Sequence, residues 1–410
     1  MTEEASLLFV GVDWAEAHHD VCVLDEGGAV LGSRRVLDTL EGVRQLHELV
    51  ADHAEEPGQV AVGIEKDRGL LVVSLVAAGY AVYAVNPLAS SRFRDRHQVS
   101  GAKSDRGDAR VLADMVRTDR HQLREVAGDS DLAEATKVLA RAHQSAIWSR
   151  QRHLNQLRNA LKDYYPGALE AFGTDLASND AVAVLTAAPT PAAGRALGTG
   201  ELEALLRKGG RQRNVAARAR QLRDALCRGQ LEQPGIVADA YGAVTASELR
   251  LIAAATAEVA TLEEALSAAF EQHPDAKVVL SLPGLGTVLG ARVLGEFGDD
   301  PNRYASAKSR RNYAGTSPVT KASGLSRVVL ARVSRNRRLV ATCDQWAFCA
   351  LTSSPGARRY YDELRQRGKT HRVAARALGN RLVGILHGCL EHHVPYDEAT
   401  AWRHRAQLAA

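Results

Sequence analysis

The sequence predicts an α/β domain on a mixed, helix-covered sheet, then a long helical, coiled-coil-like connector, then a mainly helical terminal domain. Three observations carry this. Apolar runs near the start read as three successive strands and then alternate with segments of helical spacing. Two long central stretches keep a helical period while remaining polar enough to serve as a connector. The last third is helical in pattern and strongly basic. We place the boundaries at 1–130, 131–274 and 275–410.

Leu7 to Val12 is an unbroken apolar run suited to a buried strand, His19 to Asp25 a second, and Ala29 to Val36 a third, with Glu26-Gly27-Gly28 turning between the last two. Leu40, Val43, Leu46, Leu49 and Val50 recur at helical spacing. A strand from Gln59 to Ile64, a helix from Leu70 to Ala78, a strand from Tyr80 to Val85 and a helix beginning near Ser104 complete the unit. Crossover helices make the later strands parallel, so the order βββαβαβα gives a mixed sheet. That order resembles the ribonuclease H superfamily, to which RuvC-like domains belong.

From Leu132 to about Tyr165 the chain is rich in Arg and Gln, with Val138, Ala142, Ala146, Leu154, Leu157 and Leu161 on a helical period. This predicts a projecting arm. A less periodic insertion follows, punctuated by Gly194 to Gly200 and Arg207 to Gly210. An amphipathic run from Ser247 to Phe270 then returns the chain and ends before Pro274.

With 410 residues, 45% apolar and 24% charged, the chain can bury a substantial core. No apolar run approaches the roughly 18 residues of a membrane span, and the start, Met1 to Ala5, lacks a signal-peptide pattern. Cys22, Cys227, Cys343, Cys349 and Cys389 form no CxxC pair and no zinc-spaced cluster, and read as buried or idle thiols in a reducing cytoplasm. No membrane partner is expected. The formal charge of +4 hides a division: residues 1–130 carry 14 basic against 22 acidic side chains, and residues 131–410 carry 38 against 26. Between Arg303 and Arg381 there are 18 basic and three acidic residues, the footprint of a surface that neutralises phosphates. A solvated basic face is the bland alternative. The shortage of acids favours nucleic acid, and Lys308, Arg310, Arg311, Lys321, Arg327, Arg335, Arg337 and Arg338 are the expected contacts.

Asp13 follows the first strand, Glu65 ends the fourth, and Asp105 and Asp108 lie three apart at a helix start. In a ribonuclease H topology the first and fourth strands are neighbours, and an i, i+3 pair shares one helical face, so the four carboxylates converge. Clustered carboxylates are tolerated mainly around divalent cations, and hard oxygen donors suit Mg²⁺ or Mn²⁺. Two such ions can assist phosphodiester displacement. Locally, an N-cap role for Asp105, an N3 role for Asp108 and a Glu65–Arg68 ion pair account for the same residues. The combined placement favours metal.

Leu282-Pro283-Gly284-Leu285-Gly286 precedes an apolar helix, Val288 to Leu294. A turn of this kind, through Gly284 and Gly286, exposes backbone N–H groups beside a helix N-terminus and suits a DNA phosphate; an ordinary helix-to-helix turn is the alternative. Next come Tyr313 to Pro318 and then Lys321-Ala322-Ser323-Gly324, a small-residue loop in the basic segment. Ser323 is a possible nucleophile, or simply a turn residue.

Together these pieces resemble the insertion-sequence "one-ten" family of transposases, recombinases that join a RuvC-like DEDD domain to a C-terminal serine transposase domain; pilin-gene invertases are similar. The resemblance rests on Val10-Gly11-Val12-Asp13, Val62-Gly63-Ile64-Glu65, Val85-Asn86-Pro87, Lys103 through Ala109, Leu282 through Gly286, and Tyr313 through Gly324. It implies that Ser323 is the nucleophile of a covalent phosphoserine step and that Asp13, Glu65, Asp105 and Asp108 hold the metal. It also implies strand exchange between element ends and target DNA, a structured non-coding bridge RNA that chooses sequence by base pairing, and a bacterial, nucleoid-associated setting. A homo-oligomer, dimer or tetramer, is implied as well, with the serine of one subunit near the acids of another. The helices at 132–165 and 247–270 then bridge subunits, or else form a hairpin within one chain.

Two departures stand out. Lys66-Asp67-Arg68-Gly69 replaces the family's small Ala-Thr-Gly type sequence after the second acid. Ser334-Arg335-Asn336-Arg337-Arg338-Leu339 lacks the glycine of the family's Lys-x-Gly-Asn run. The competing readings are a metal-dependent nuclease or Holliday-junction resolvase, a non-catalytic nucleic-acid-binding derivative, and an actin-like or sugar-kinase ATPase. The last is disfavoured because Asp13-Trp14-Ala15-Glu16 is no phosphate loop.

Overall fold

The structure, a computed structural model, describes residues 7–97, 104–126, 128–324, 326–332 and 335–406. Lys103 and Ser334, both quoted above, lie outside these, as do residues 1–5. The chain divides into two compact units, residues 1–128 and 129–410.

The first unit is a six-stranded mixed sheet in the order β3-β2-β1-β4-β5-β6. It is built from β1 (Leu8–Trp14), β2 (His18–Leu24), β3 (Val30–Leu37), α1 (Leu40–Ala51), β4 (Val60–Ile64), α2 (Leu70–Ala77), β5 (Ala81–Ala84), α3 (Pro87–His97), α4 (Asp105–Asp119) and β6 (Arg124–Glu125). The β1, β2 and β3 strands are an antiparallel meander, whereas β4 and β5 run parallel to β1 through crossover helices. Val10, Val12, Val21, Val23, Val62 and Ile64 are buried beneath α1 and α2. The opposite face takes α4, whose Ala109, Ala113 and Val116 pack on Phe9, Cys22 and Ala61. Burial of both faces explains why the central strands read as continuous apolar runs. Helix α3 and strand β6 were not anticipated from sequence.

The second unit begins with α5 (Asp131–Tyr164), followed by α6 (Pro166–Phe172), α7 (Asn179–Ala187), α8 (Pro191–Ala196), α9 (Thr199–Lys208), α10 (Val215–Cys227) and α11 (Gly235–Glu271). At 1.5 Å per residue α5 is about 50 Å long. It pairs antiparallel with α11 in the same chain: His153 Nδ1 lies 2.9 Å from Glu248 Oε2, and the Tyr164 hydroxyl donates to Thr245 Oγ1 at 2.7 Å. The intrachain hairpin weighed for these helices is therefore present in the fold. The arm does not project alone. Its far end packs with α6 to α10 in a core of its own, including Leu157, Leu161, Phe172, Leu185, Leu202 and Leu222, so the supposedly less periodic insertion is a set of short packed helices.

The remaining elements are α12 (Ala276–Ser281), α13 (Thr287–Phe297), α14 (Ala307–Tyr313), β7 (Val319–Ser323), β8 (Ser326–Leu330), α15 (Arg337–Ser353), α16 (Pro355–Gln366), α17 (His371–Glu391) and α18 (Glu398–Ala406). Their core joins Leu294, Phe297, Trp346, Leu378, Leu382 and Leu386 to Phe270 and Leu266 from the end of α11. Strands β7 and β8 form a separate two-stranded sheet. No helix of the described residues is long and apolar enough to cross a membrane.

Candidate active site

Two glycines bring the acids together. A Cβ at Gly11 would collide with the Ala109 carbonyl and the Ala113 amide, and one at Gly63 would lie 2.6 Å from the Leu112 carbonyl. Their absence lets α4 lie directly against β1 and β4. Asp13 is two residues beyond Gly11 and Glu65 two beyond Gly63, so both stand on the α4 face at the end of neighbouring strands. Ser104 caps α4 by accepting from the Gly107 amide at 3.1 Å. The cap is thus Ser104 and not Asp105, which frees Asp105 and Asp108 in the first turn to face the sheet end.

The electrostatics of Asp13 reflect its acidic neighbours as well as its burial. Burial pushes the Asp13 carboxyl up to about 6, and the charges of Asp108, Glu65, Asp105 and Asp20 add to the rise. The other acids are each paired with a neighbouring side chain. Arg94 of α3 meets Asp108 at 2.6 Å, Ser90 of α3 donates to Glu65 at 2.5 Å, and Arg35 of β3 donates to Asp105 at 2.9 Å. Glu65 therefore takes Ser90 in place of the Arg68 considered from sequence.

Sequence reasoning missed Asp20, Arg35, Ser90 and Arg94. Asp20 pairs directly with Asp13 across β1 and β2 and is buried, so it belongs to the same acidic face. The signal was available: residues 13 and 20 lie symmetrically about the Glu16-Ala17 turn. Ligand atoms of His18, Asp20 and Asp105 all lie within 4.8 Å of one another. Carboxylate oxygens gathered on one face are hard donors of the kind that divalent cations take. Just beyond, Lys66 stands 2.8 Å from the centre of the Trp14 ring, and Asp67 pairs with Arg124 at 3.4 Å. The departure after Glu65 thus places a cation and an aromatic ring on the sheet face opposite the acids.

Ser323 sits in a β-hairpin, not in the loop expected from its small residues. It ends β7 and pairs with Ser326 of β8, with Gly324 (φ +53°) opening the turn. The hairpin base is clamped: Thr316 bonds Asn380 of α17 at 3.1 Å, and Arg332 donates to Asn312 at 3.3 Å. Every described residue of the two strands except the half-buried Val319 is exposed, Ser323 included.

The expected nucleic-acid contacts divide. Lys308, Lys321, Arg327, Arg335 and Arg337 are exposed. Arg310 corrects the expectation, because its guanidinium is buried over the Tyr304 and Phe297 rings at 4.6 and 5.3 Å. Burial there pushes its pKa down. Arg311 is half-buried against Gly384 of α17. Arg338, half-buried, lies over Trp148 and donates to the Arg141 carbonyl at 3.1 Å and to Ser145 Oγ at 2.8 Å, tying α15 to α5. Asn336, in the segment without the family glycine, caps α15 and donates to the buried Glu296 at 2.6 Å. Gly284 has a packing role. Its φ is +80°, a Cβ there would press on the backbone of Cys349 and Ala350, and the Trp346 indole donates to Pro283 O at 2.8 Å. Gly286, exposed at the N-terminus of α13, retains the open backbone that the phosphate reading requires.

A family model described as Transposase, of the DEDD type named for IS110, matches residues 10–166. Another, described as Transposase IS116/IS110/IS902 family, matches residues 276–362. The chain is 42% identical, over all of both chains, to the protein named "Mini-circle putative transposase for IS117" of Streptomyces coelicolor. It is 30% identical to the insertion element IS900 uncharacterized 42 kDa protein of Mycobacterium paratuberculosis, covering 97% of this chain and 98% of that one. Full-length similarity, the two matched models and a RuvC-like sheet bearing the acids agree, and the chain belongs to the IS110 family of transposases.

Proposed function

We propose that this transposase cuts and rejoins insertion-sequence DNA through a covalent phosphoserine formed at Ser323 with divalent-metal assistance. The observation that carries the reading is the placement of Asp13 and Glu65 at the ends of neighbouring parallel strands, on the face covered by the helix whose first turn holds Asp105 and Asp108. So much negative charge on one face is stable in use only with cations among the oxygens.

Asp13, Glu65, Asp105 and Asp108 would hold the ions, with Asp20 beside Asp13 on the same face. When bound, Mg²⁺ or Mn²⁺ supplies Lewis-acid stabilisation of phosphate charge. Ser323 Oγ attacks phosphorus, so one Oγ–P bond forms as one P–O bond to the DNA breaks. The serine proton leaves to solvent and the departing oxygen takes one up. A hydroxyl of the incoming strand reverses the exchange. One phosphate ester replaces another at each step, which is why no nucleotide is consumed.

Lys308, Lys321, Arg327, Arg335 and Arg337 bind backbone phosphates without reading bases, and a bridge RNA supplies sequence choice by pairing. Val328, Val329 and Leu330 stand exposed beside the serine, apolar surface that a second subunit covers in a homo-oligomer. The test uses Ser323→Ala and Asp13→Asn with element DNA, Mg²⁺ and a cognate RNA. Wild type should form a protein–DNA adduct that resists denaturant, and neither variant should. Adduct formed by Ser323→Ala would overturn the serine assignment, and cleavage without rejoining by wild type would favour a nuclease.

A further inference from the structure

Arg35, Asp20 and Asp13 form a row across three strands. Asp20 pairs with Arg35 between β2 and β3 and with Asp13 between β1 and β2, so all three side chains share the face that carries Glu65 one step beyond the Val12–Ile64 pair. Arg35 grips Asp20 with two nitrogens, Nε at 3.0 Å and an Nη at 2.7 Å from Oδ2, and the same Nη reaches Asp105 Oδ2 at 2.9 Å.

The two arms of this bridge are unequal. The Asp20 carboxylate is 4% exposed, so losing its guanidinium would strand a buried charge, which is costly. The Asp105 side chain is 56% exposed and Arg35 itself 52%, so that arm is a solvated ion pair of small net worth. Of the two arms, the one to Asp105 is therefore the weaker, and Arg35 would stay on Asp20 if it parted from Asp105.

We propose that Arg35 is a positioning residue for the metal centre: an internal cation that holds Asp105 while the centre is empty and releases it to a divalent ion, so that its charge sets how tightly the ion binds. The inference rests on reading the acids as a metal centre. Two consequences follow from the charge balance. Without Arg35 the empty centre is more strongly self-repelling, and the full centre is less repelled by a neighbouring cation. A merely structural arginine would alter stability and leave ion affinity alone.

The experiment titrates Mn²⁺ into the full-length protein and follows the free-ion signal by electron paramagnetic resonance, with metal-free melting measured alongside. Arg35→Gln and Arg35→Ala should lower the metal-free melting temperature and tighten Mn²⁺ binding by about tenfold, within the usual range of coupling between adjacent sites. If Arg35→Ala does not fold, Arg35→Gln, which can still hydrogen-bond Asp20, carries the test. Mn²⁺ binding that Asp13→Asn abolishes but Arg35→Gln leaves unchanged or weakens would overturn the role given to Arg35 alone. Wild type that binds no Mn²⁺ would overturn the metal-centre reading itself.

Discussion

Gly11 of β1 lies directly beneath the Ala109 carbonyl of α4, with no room for a Cβ between them. This contact sets the distance from the sheet to the helix that carries Asp105 and Asp108. Gly11→Ala must push α4 outward, and because the obstacle is backbone it cannot be relieved by a rotamer change. The expected cost is at the upper end of the roughly 1–3 kcal/mol typical of overpacking. The variant should also lose the thermal stabilisation that Mg²⁺ or Mn²⁺ is expected to give wild type. Unchanged melting with and without metal would refute the link.

Asp13 predicts a stability cost that depends on pH. Its carboxyl titrates near 6 in the fold against an ordinary 3.8, so between those values the folded state holds more protons than the unfolded one. The contribution of this group to stability therefore falls as pH rises through that window and stays lost above it. Metal-free Asp13→Asn should match wild type at the acid end, melt higher above pH 6, and gain nothing from added metal. Equal melting temperatures across the window would contradict the raising of this carboxyl by its burial and by the neighbouring acids.

The central strands and the acids were legible because burial on both faces leaves continuous apolar runs, each ending in a carboxylate. Asp20 was hidden only by reading strands singly. Paired about their turn, β1 and β2 place it beside Asp13. Helix α3 buries just Ser90 and Phe93 and so has almost no apolar stripe to read. The β7–β8 hairpin has no buried face, so its strands lack the in–out alternation that marks a sheet. Residue charge counts could not separate Arg310, enclosed by aromatic rings, from Arg335 and Arg337 at the surface. That distinction exists only in three dimensions.

Those arginines should respond differently to alanine. Arg335→Ala and Arg337→Ala remove exposed charges and should weaken DNA binding at unchanged melting temperature, each lowering the slope of log affinity against log salt by about one where it meets a phosphate. Arg310→Ala empties a buried site between Phe297 and Tyr304 and should lower the melting temperature, with the salt slope of the folded fraction unaltered. A normal melt for Arg310→Ala combined with a reduced slope would return it to the DNA-binding surface.

Glu296 gives the sharpest test of how α5 is held. It is 2% exposed and accepts from Arg141 at 2.7 and 2.9 Å and from Asn336 at 2.6 Å. Burial alone would raise its carboxyl, but the hydrogen bonds from Arg141 and Asn336 and the charges of Arg141 and Arg338 outweigh it and hold the group below the usual glutamate range. A depressed acid stabilises the fold above its unfolded value and loses that contribution as pH falls through its folded value. Glu296→Ala leaves Arg141 without its buried partner and should cost about 3–5 kcal/mol. Glu296→Gln keeps the shape without the charge, and its denaturation midpoint should fall less steeply than that of wild type in acid, below the ordinary glutamate value of 4.5. Parallel acid profiles for Glu296→Gln and wild type would mean that other carboxylates govern acid unfolding and that this junction rests on packing.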